Sequence, residues 1–184
     1  MKLAETLDAL TFVPVPALEE TQQFELLSIR NQQIIRESSY SSHVIANNEH
    51  LRWVEQLQTD PSLTFFAVTY KREIVGGVGL RNIDIKQQTA EWSFYVSETA
   101  IGQGIGLALG VGALDMFFGT LELKSVVGEA LIANEASMAY HRKLGFQQIS
   151  QQQHLVQPGN RMEDIAVFLL GSTKWDSVRP TLGA

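Results

Sequence analysis

The spacing of apolar residues predicts two helices in the first third of the chain. Between Glu19 and about Ile29, and again from Asn47–His50 onward, apolar side chains recur every three to four positions, as they do on one face of an α-helix. Asp60-Pro61 is expected to end the second helix. Residues 1–13 fit neither a helix nor a strand clearly.

Six later segments are predicted to be strands, namely Leu63–Tyr70, Ile74–Leu80, Thr89–Val96, Ser125–Ile132, Phe146–Val156 and Met162–Leu170. The first two form a hairpin, and the last two are joined by a turn at Pro158-Gly159. The alternation is most regular in Thr89–Val96, where Trp92 and Phe94 face one side of the strand and Glu91 faces the other.

The composition supports one well-packed domain. A chain of 184 residues with 45% hydrophobic content can bury a sizeable core, and nothing in it requires a second domain. We predict a single domain over residues 1–184, with a core at about 20–170 and a loose end at 171–184. There are no cysteines, which excludes disulfides, thiolate metal sites and a cysteine nucleophile.

Charge and targeting signals restrict the partners and the location. The formal net charge of −6 argues against nucleic acid as the main partner. Residues Met1–Asp8 carry acids and lack the apolar core of a signal peptide, and no apolar run approaches the length of a membrane span. We therefore expect a soluble cytoplasmic protein with no membrane or nucleic-acid partner.

The segment Gly102–Ala108, with the sequence Gly-Gln-Gly-Ile-Gly-Leu-Ala, is the strongest functional signal. It follows a predicted strand and precedes the apolar stripe of a helix that continues to Phe118. Glycines at such a junction expose backbone N–H groups at the positive end of the helix, which suits a pyrophosphate. The Walker pattern is absent because no Gly-Lys-Ser/Thr follows. The dinucleotide fingerprint also fails, since Leu107 stands where its third glycine should be.

A second motif follows the strand Ser125–Ile132. Asn134 suits the N-cap of a helix of about ten residues, and Gly145 suits the position just after its end. Between them, Ser137 and Tyr140 lie one and two turns along the same helix edge as Asn134.

The order of these elements resembles the GCN5-related N-acetyltransferase (GNAT) superfamily over roughly residues 20–170. The resemblance implies an α/β (α+β) fold, with a mixed, mainly antiparallel twisted sheet and helices on both faces. It also implies acetyl-CoA as co-substrate, held by the glycine loop and by two splayed parallel strands, Thr89–Val96 and Ser125–Ile132. No His/Asp/Glu spacing suggests a metal, and the reaction needs none.

The resemblance carries over a set of residues to the acetyl-CoA site, namely Val96, Ile101, Gly102, Gln103, Gly104, Ile105, Gly106, Leu107, Asn134 and Ser137. Ile101 departs from the family pattern, in which a polar side chain is commoner. The departure removes a side-chain contact but leaves the backbone donors.

A narrower resemblance is to the nucleotide-sugar N-acetyltransferases of pseudaminic acid biosynthesis, which serve flagellin glycosylation. It is carried by Arg30-Asn31, by His50-Leu51 with Trp53 and Leu57, and by Glu129, Asn134 and Tyr140 with the later Gly-Phe. It implies acetylation of the 4-amino group of a UDP-linked 4-amino-4,6-dideoxy sugar. Acetyltransferases for ribosomal-protein N-termini or small amines share some of these short motifs and are an alternative. A non-catalytic acyl-CoA sensor is a further alternative.

Acetyl transfer needs a neutral amine, a polarised carbonyl and a proton for the departing thiolate. Tyr140, a phenol with a reference pKa of about 10, is the predicted acid, although a half-buried core aromatic is the alternative. Glu129 is the predicted base, because strand alternation places its carboxylate in an apolar row, where a charge is costly unless it is paired or hydrated. An ion pair with an arginine is its alternative, and Glu91 on the preceding strand is a rival base.

The expected acceptor contacts are His50, Arg30, Asn31 and Glu91. His50 could instead be a satisfied structural residue, and Arg30 could interact with a helix C-terminus. His141 directly follows Tyr140 and is expected to point to solvent. The amine is expected to attack the thioester directly in a ternary complex. The oligomeric state is expected to be a monomer or a homodimer.

Overall fold

The computed structural model describes residues 3–156 and 161–183. The helices are α1 Leu3–Asp8, α2 Glu20–Arg30, α3 Gln33–Glu37, α4 Asn47–Thr59, α5 Ile105–Asp115, α6 Glu135–Lys143 and α7 Ser172–Val178. The strands are β1 Leu10–Pro14, β2 Thr64–Tyr70, β3 Glu73–Asp84, β4 Thr89–Val96, β5 Ser125–Leu131, β6 Gln147–Val156 and β7 Arg161–Gly171.

All seven strands belong to one sheet with the order β1-β2-β3-β4-β5-β7-β6. Every neighbouring pair is antiparallel except β4 and β5, which are parallel. Their pairing covers only the first three residues of each strand and stops at Glu91 opposite Val127. Beyond this point the two strands separate, so the middle of the sheet contains a fork that is open to a ligand.

Helices cover both faces of the sheet and enclose two buried clusters. On one side, α5 and α6 pack over the inward residues of β4, β5 and β7, such as Trp92, Val126 and Phe168. On the other side, α2 and α4 pack over β2 and β3, with Leu26 and Val54 in the cluster. The helix α5 is apolar around almost its whole circumference, which explains why it is nearly fully buried.

The predicted mixed sheet with a splayed parallel pair and helices on both faces is confirmed. The predicted β4 has the observed bounds, and α2 and α4 differ from prediction by a residue or two. β3 runs on to Asp84, four residues further than expected, because it continues to pair beyond Leu80. Residues 1–13 were ambiguous in the sequence, and their described part, residues 3–13, contains α1 and most of β1.

The C-terminal segment differs most from expectation. Residues 171–184 were expected to be a loose end, but α7 lies within them and buries Trp175, which is only 3% exposed. The local sequence gives little helical periodicity, and the helix is held by packing against the core. The Pro158-Gly159 turn lies outside the described residues. Among those that are described, no helix has the length and apolar character needed to cross a membrane.

Candidate functional site

The glycine loop before α5 has the geometry of an anion site. Gly102 and Gly104 have φ angles of 80° and 79°, a left-handed conformation that residues with a side chain adopt only at a cost. Gly104 is the N-cap of α5, whose first helical hydrogen bond runs from Ala108 N to Gly104 O at 3.2 Å. The N–H groups of residues 104–107 therefore lack helical partners, and this donor set fits the pyrophosphate of acetyl-CoA.

A cavity of about 1000 Å³ extends from this loop, past the fork between β4 and β5, to the helices α2–α4. Eight of the predicted acetyl-CoA contacts line it, namely Val96, Ile101, Gly102, Gly104, Gly106, Leu107, Asn134 and Ser137. Gln103 and Ile105 do not. The Gln103 side chain donates to Thr99 O at 2.5 Å, and Ile105 is buried in the core.

Asn134 caps α6 as predicted. Its side-chain Oδ1 accepts a hydrogen bond from Ser137 N at 3.0 Å, which satisfies one of the free N–H groups of the first turn. The cap fixes the start of α6 beside β5 and so sets the position of Tyr140 on the cavity wall.

Tyr140 is half-buried, and its hydroxyl donates to Gly106 O at 2.6 Å. Its ring packs against Phe94, with centroids 4.7 Å apart. A Cβ at Gly110 would overlap with the phenol, so the absence of a side chain at Gly110 leaves the space that the phenol occupies. Burial raises the pKa of Tyr140, and the Gly110 backbone opposes part of that shift, so the phenol stays protonated at neutral pH.

The expectation that His141 points to solvent is wrong, because this residue is 1% exposed. Tyr140 contacts Gly106 and Gly110 of α5, whereas its neighbour His141 faces Trp92 of β4 and Gly128 of β5. Trp92 Nε1 donates to His141 Nε2 at 3.1 Å, and His141 Nδ1 donates to Ser137 O at 2.8 Å. The ring also stacks on Phe168. Burial lowers the pKa of His141 to about 4, so the ring is neutral.

Glu129 lies on the face of β5 that points away from α6. It forms an ion pair with an arginine, which was the alternative to its role as a base. Its Oε2 accepts from Arg81 Nη2 at 3.1 Å and from the Tyr40 hydroxyl at 3.0 Å. Its Oε1 is contacted only at 3.5 Å, by Gln152 Nε2, among the described residues. The carboxylate lines the cavity with a side chain that is 19% exposed, so one oxygen is left to accept a proton.

Glu91 belongs to the same charged group but does not line the cavity. One of its oxygens accepts from Arg81 Nε at 2.8 Å and the other from Asn82 Nδ2 at 2.9 Å. Arg81 thus bridges two carboxylates, and the cluster Glu91–Arg81–Glu129 has a net charge of −1. Such a charge favours the approach of a protonated amine.

The helices α2 and α4 form the far wall of the cavity. Arg30 and His50 both line it. Asn31 lies behind this wall, where its side-chain amide donates to Ile45 O and accepts from Ile45 N, both at 2.9 Å. Asn31 therefore holds the loop between α3 and α4, and its polar atoms are already paired within the chain.

Sequence reasoning missed Tyr40 and Arg81. The position of Arg81 follows from strand register, because it is paired directly opposite Glu91 in the β3–β4 ladder. An explicit register for that hairpin would have found it. Tyr40 comes from the α3–α4 loop and meets Glu129 across 89 residues of sequence, for which no local signal exists. The ring of His154 on β6 packs against Tyr40 in a tilted arrangement, with ring centroids 4.3 Å apart.

The described residues contain no group of three or more His, Cys, Asp or Glu side chains that could hold a metal ion. The polar atoms at the fork are instead paired with one another or left facing the cavity.

Residues 10–147 match the family of the acetyltransferase (GNAT) domain. No protein of curated function matches the chain significantly.

Solved structures share the fold. A spermidine N-acetyltransferase from Vibrio cholerae in complex with CoA and spermine has a TM-score of 0.81 and 18% sequence identity, over 91% of this chain and 98% of that chain. The dodecameric structure of spermidine N-acetyltransferase from the same organism, in an intermediate state, has a TM-score of 0.74 and 19% identity, over 91% and 96% of the two chains.

Proposed function

Because the chain belongs to the acetyltransferases with a GNAT domain, and is thus an acetyl-CoA-dependent N-acetyltransferase, we propose that it acetylates a primary amine on a nucleotide sugar. The proposed acceptor is the 4-amino group of a UDP-linked 4-amino-4,6-dideoxy sugar, as in pseudaminic acid biosynthesis. One observation carries the proposal. A single cavity joins the glycine loop, the carboxylate of Glu129 and a far wall made of α2–α4.

When bound, acetyl-CoA supplies an acetyl thioester. The N–H groups of residues 104–107 hold its pyrophosphate, and the fork between β4 and β5 receives the pantetheine arm. Trp92 and Phe94 wall this fork on the α6 side, which excludes water from the thioester.

Glu129 is the proposed base. An amine arrives protonated, and the carboxylate takes that proton on Oε1, directly or through a water, while Arg81 and Tyr40 hold Oε2 in place. Glu91 is the weaker candidate because both of its oxygens accept strong hydrogen bonds and it does not line the cavity.

Tyr140 is the proposed acid for the departing thiolate. Its proton is directed at Gly106 O, so the hydroxyl must turn away from that carbonyl to donate. Gly106 lies in the first turn of α5. Breaking its bond to the phenol costs about 1 kcal/mol, the net value of one hydrogen bond.

A polyamine acceptor is the second candidate. It is favoured by the shared fold with spermidine N-acetyltransferases and by the net negative charge of the cluster Glu91–Arg81–Glu129. A protein N-terminus is a third possible acceptor, since the amine chemistry is the same.

The test measures thiol release from acetyl-CoA with the UDP-linked amino sugar, with spermidine and with a panel of peptides. We expect turnover with the nucleotide sugar. Turnover with spermidine or a peptide alone would overturn the acceptor but keep the chemistry. CoA binding without turnover on any acceptor would favour the acyl-CoA sensor.

Paired variants test the residue roles. We expect Glu129→Gln to lower kcat by about 10²–10³-fold, within the range for general-base catalysis, and Glu91→Gln to lower it much less. Tyr140→Phe should lower kcat while leaving the KM for acetyl-CoA within about twofold. Equal effects of the two glutamate variants would contradict the assignment of Glu129 as the base.

A further inference from the structure

We propose that the enzyme also acetylates primary amines that carry an aromatic ring, and that Trp53, Phe65 and Tyr95 receive this ring. These three side chains, the aromatic wall, line the same end of the cavity as α4, and no step of the acetyl transfer uses them. The inference goes beyond the proposed nucleotide sugar and depends only on the acetyl transfer itself.

The rings of the aromatic wall form a corner. Phe65 and Tyr95 are nearly parallel, with an angle of 26° between their planes and centroids 5.8 Å apart. Trp53 crosses Phe65 at 73°, with centroids 5.2 Å apart. Aromatic pairs prefer offset-stacked and edge-to-face arrangements, so this corner offers one contact of each kind to a further ring.

Two glycines of β3 set the position of Phe65. A Cβ at Gly77 or at Gly79 would overlap with the Phe65 ring, and a Cβ at Gly77 would also lie 3.1 Å from Tyr95 Cζ. The ring therefore lies directly against the backbone of β3, where a side chain on either glycine would displace it. This part of the sheet thus presents an aromatic surface to the cavity.

The aromatic wall lies on the same face of the sheet as Glu129. Directly opposite residues share a face, and so do residues two apart on one strand. The ladders connect Phe65 to Glu129 through three opposite pairs, namely Phe65 and Gly79, Gly79 and Ser93, and Glu91 and Val127. The Phe65 ring covers β3, one strand spacing from β4 at the fork, so a span of about 5 Å, or about two carbon atoms of linker, separates ring and amine.

Aliphatic side chains extend the aromatic wall, since Leu57 and Leu63 line the same cavity. Glu49 is a carboxylate at this end, and both of its oxygens contact His43 Nε2, at 3.0 and 3.1 Å. An aryl group buries apolar area against this surface, whereas the second ammonium group of a polyamine loses hydration there. The wall therefore favours an aryl tail on the acceptor.

The reaction is the same acetyl transfer with a different amine. The ammonium group loses one proton to Glu129, the free amine forms a C–N bond with the thioester carbon, and the C–S bond breaks. The nitrogen gives up a further proton as the amide forms, which replaces the proton that Tyr140 donates to the thiolate. CoA therefore leaves as the free thiol.

The test compares CoA release with benzylamine, 2-phenylethylamine, 3-phenylpropylamine and 2-cyclohexylethylamine. We expect the highest kcat/KM for 2-phenylethylamine. Its cyclohexyl analogue is similar in size but cannot stack, so its kcat/KM should be lower by about fivefold or more. Equal rates with all four amines, or no release with any of them, would overturn the inference.

Variants of the aromatic wall locate the ring site. Phe65→Leu keeps an apolar side chain but removes the ring, so kcat/KM for 2-phenylethylamine should fall roughly tenfold and approach that of the cyclohexyl analogue. Trp53→Leu removes the other side of the corner and should act in the same direction. Phe118→Leu, in the turn after α5 and away from the cavity, is the matched control and should behave like the wild type.

The KM for acetyl-CoA shows whether each variant is folded. It should stay within about twofold of the wild type in all three, because none of them touches the glycine loop. If Phe65→Leu fails this check, Trp53→Leu decides the outcome. An unchanged kcat/KM for 2-phenylethylamine in the folded wall variants overturns the inference.

The UDP-linked amino sugar, measured in parallel, separates this inference from the proposed function. Acetylation of 2-phenylethylamine without the nucleotide sugar would overturn the proposed acceptor and leave the inference standing. Acetylation of the nucleotide sugar without any aryl amine would overturn the inference and leave the proposed function standing. CoA binding without turnover on either acceptor class would overturn both.

Discussion

Tyr140 and His141 are adjacent on α6, yet their polar groups have different environments. The phenol lies on the cavity wall and donates a hydrogen bond to the backbone carbonyl of Gly106. The imidazole is sealed between β4, β5 and β7, with Trp92 Nε1 on one nitrogen and Ser137 O on the other. Tyr140 can therefore exchange its hydrogen bond during a reaction, whereas His141 holds α6 and Trp92 in position.

The burial of His141 predicts an acid-sensitive fold. Its folded pKa of about 4 lies below the unfolded value of about 6.5. Between these pH values the unfolded state binds a proton that the folded state does not, so stability falls as the pH is lowered. At 1.36 kcal/mol per pKa unit the loss approaches ~3 kcal/mol near pH 4. Urea denaturation at pH 7, 6, 5 and 4 measures this loss of stability. The lowered pKa of His50 adds to the loss.

A variant identifies the source of this pH dependence. His141→Gln keeps an acceptor for Trp92 but cannot titrate, so its free energy of unfolding should vary less with pH over the same interval. The matched control, His154→Gln, changes an exposed histidine and should follow the wild type. Identical pH profiles for the wild type and His141→Gln would refute the assignment.

At the scale of elements, the loop and helix over residues 102–115 combine a binding role with a structural one. The N-terminus of α5 provides N–H donors, and the body of the helix is part of the core. The loop depends on backbone conformation, because a Cβ at Gly102 or Gly104 would meet no atom within 4 Å and yet both residues have positive φ. Glycine is required at these positions by conformation and not by space within the protein.

Gly104→Ala should therefore distort the backbone of the loop, although the added methyl group clashes with no protein atom. We expect a loss of stability of about 1–2 kcal/mol from the left-handed conformation, and a KM for acetyl-CoA raised by roughly tenfold as N–H donors shift. Thermal unfolding and initial rates measure the two effects. Gly119→Ala, at another open position but without a positive φ, is the control and should change neither. An unchanged KM for acetyl-CoA in Gly104→Ala would show that the loop does not hold the cofactor.

At the scale of the whole molecule, the two ends of the described chain both pack against α5. α1 contacts this helix from the N-terminal side. From the C-terminal side, Trp175 Nε1 donates to Asp115 Oδ1 at 2.9 Å, and Arg179 Nε pairs with Asp115 Oδ2 at 2.9 Å. The helix that begins at the glycine loop is therefore held at its far end by α7.

Trp175→Ala should be strongly destabilising. Loss of this buried ring leaves a cavity beside α5, with an expected cost of about 3–5 kcal/mol, as for other large-to-small core changes. Trp175→Phe keeps most of the packing and loses only the bond to Asp115, which Arg179 still satisfies. Its cost should be much smaller. Urea denaturation compares the three proteins, and a loss below 1 kcal/mol in Trp175→Ala would show that α7 contributes little to the fold.

Local signals in the sequence determined most of the elements and the cofactor loop of this protein. Apolar periodicity and caps such as Asn134 act between residues a few positions apart, and so do the conformational demands of Gly102 and Gly104. Their effects can be predicted from neighbouring letters alone. The alternation of β4 likewise assigned Glu91 and Trp92 to opposite faces of the sheet before any pairing was known.

Only the tertiary structure decided how the distant polar groups pair. Arg81 bridges Glu91 and Glu129, and Tyr40 reaches Glu129, because strand register and the α3–α4 loop bring them together. The burial of His141 and the folding of α7 depend on which surfaces face each other across the core. Such contacts join residues that are tens of positions apart, and their energies exist only once the sheet and helices have assembled.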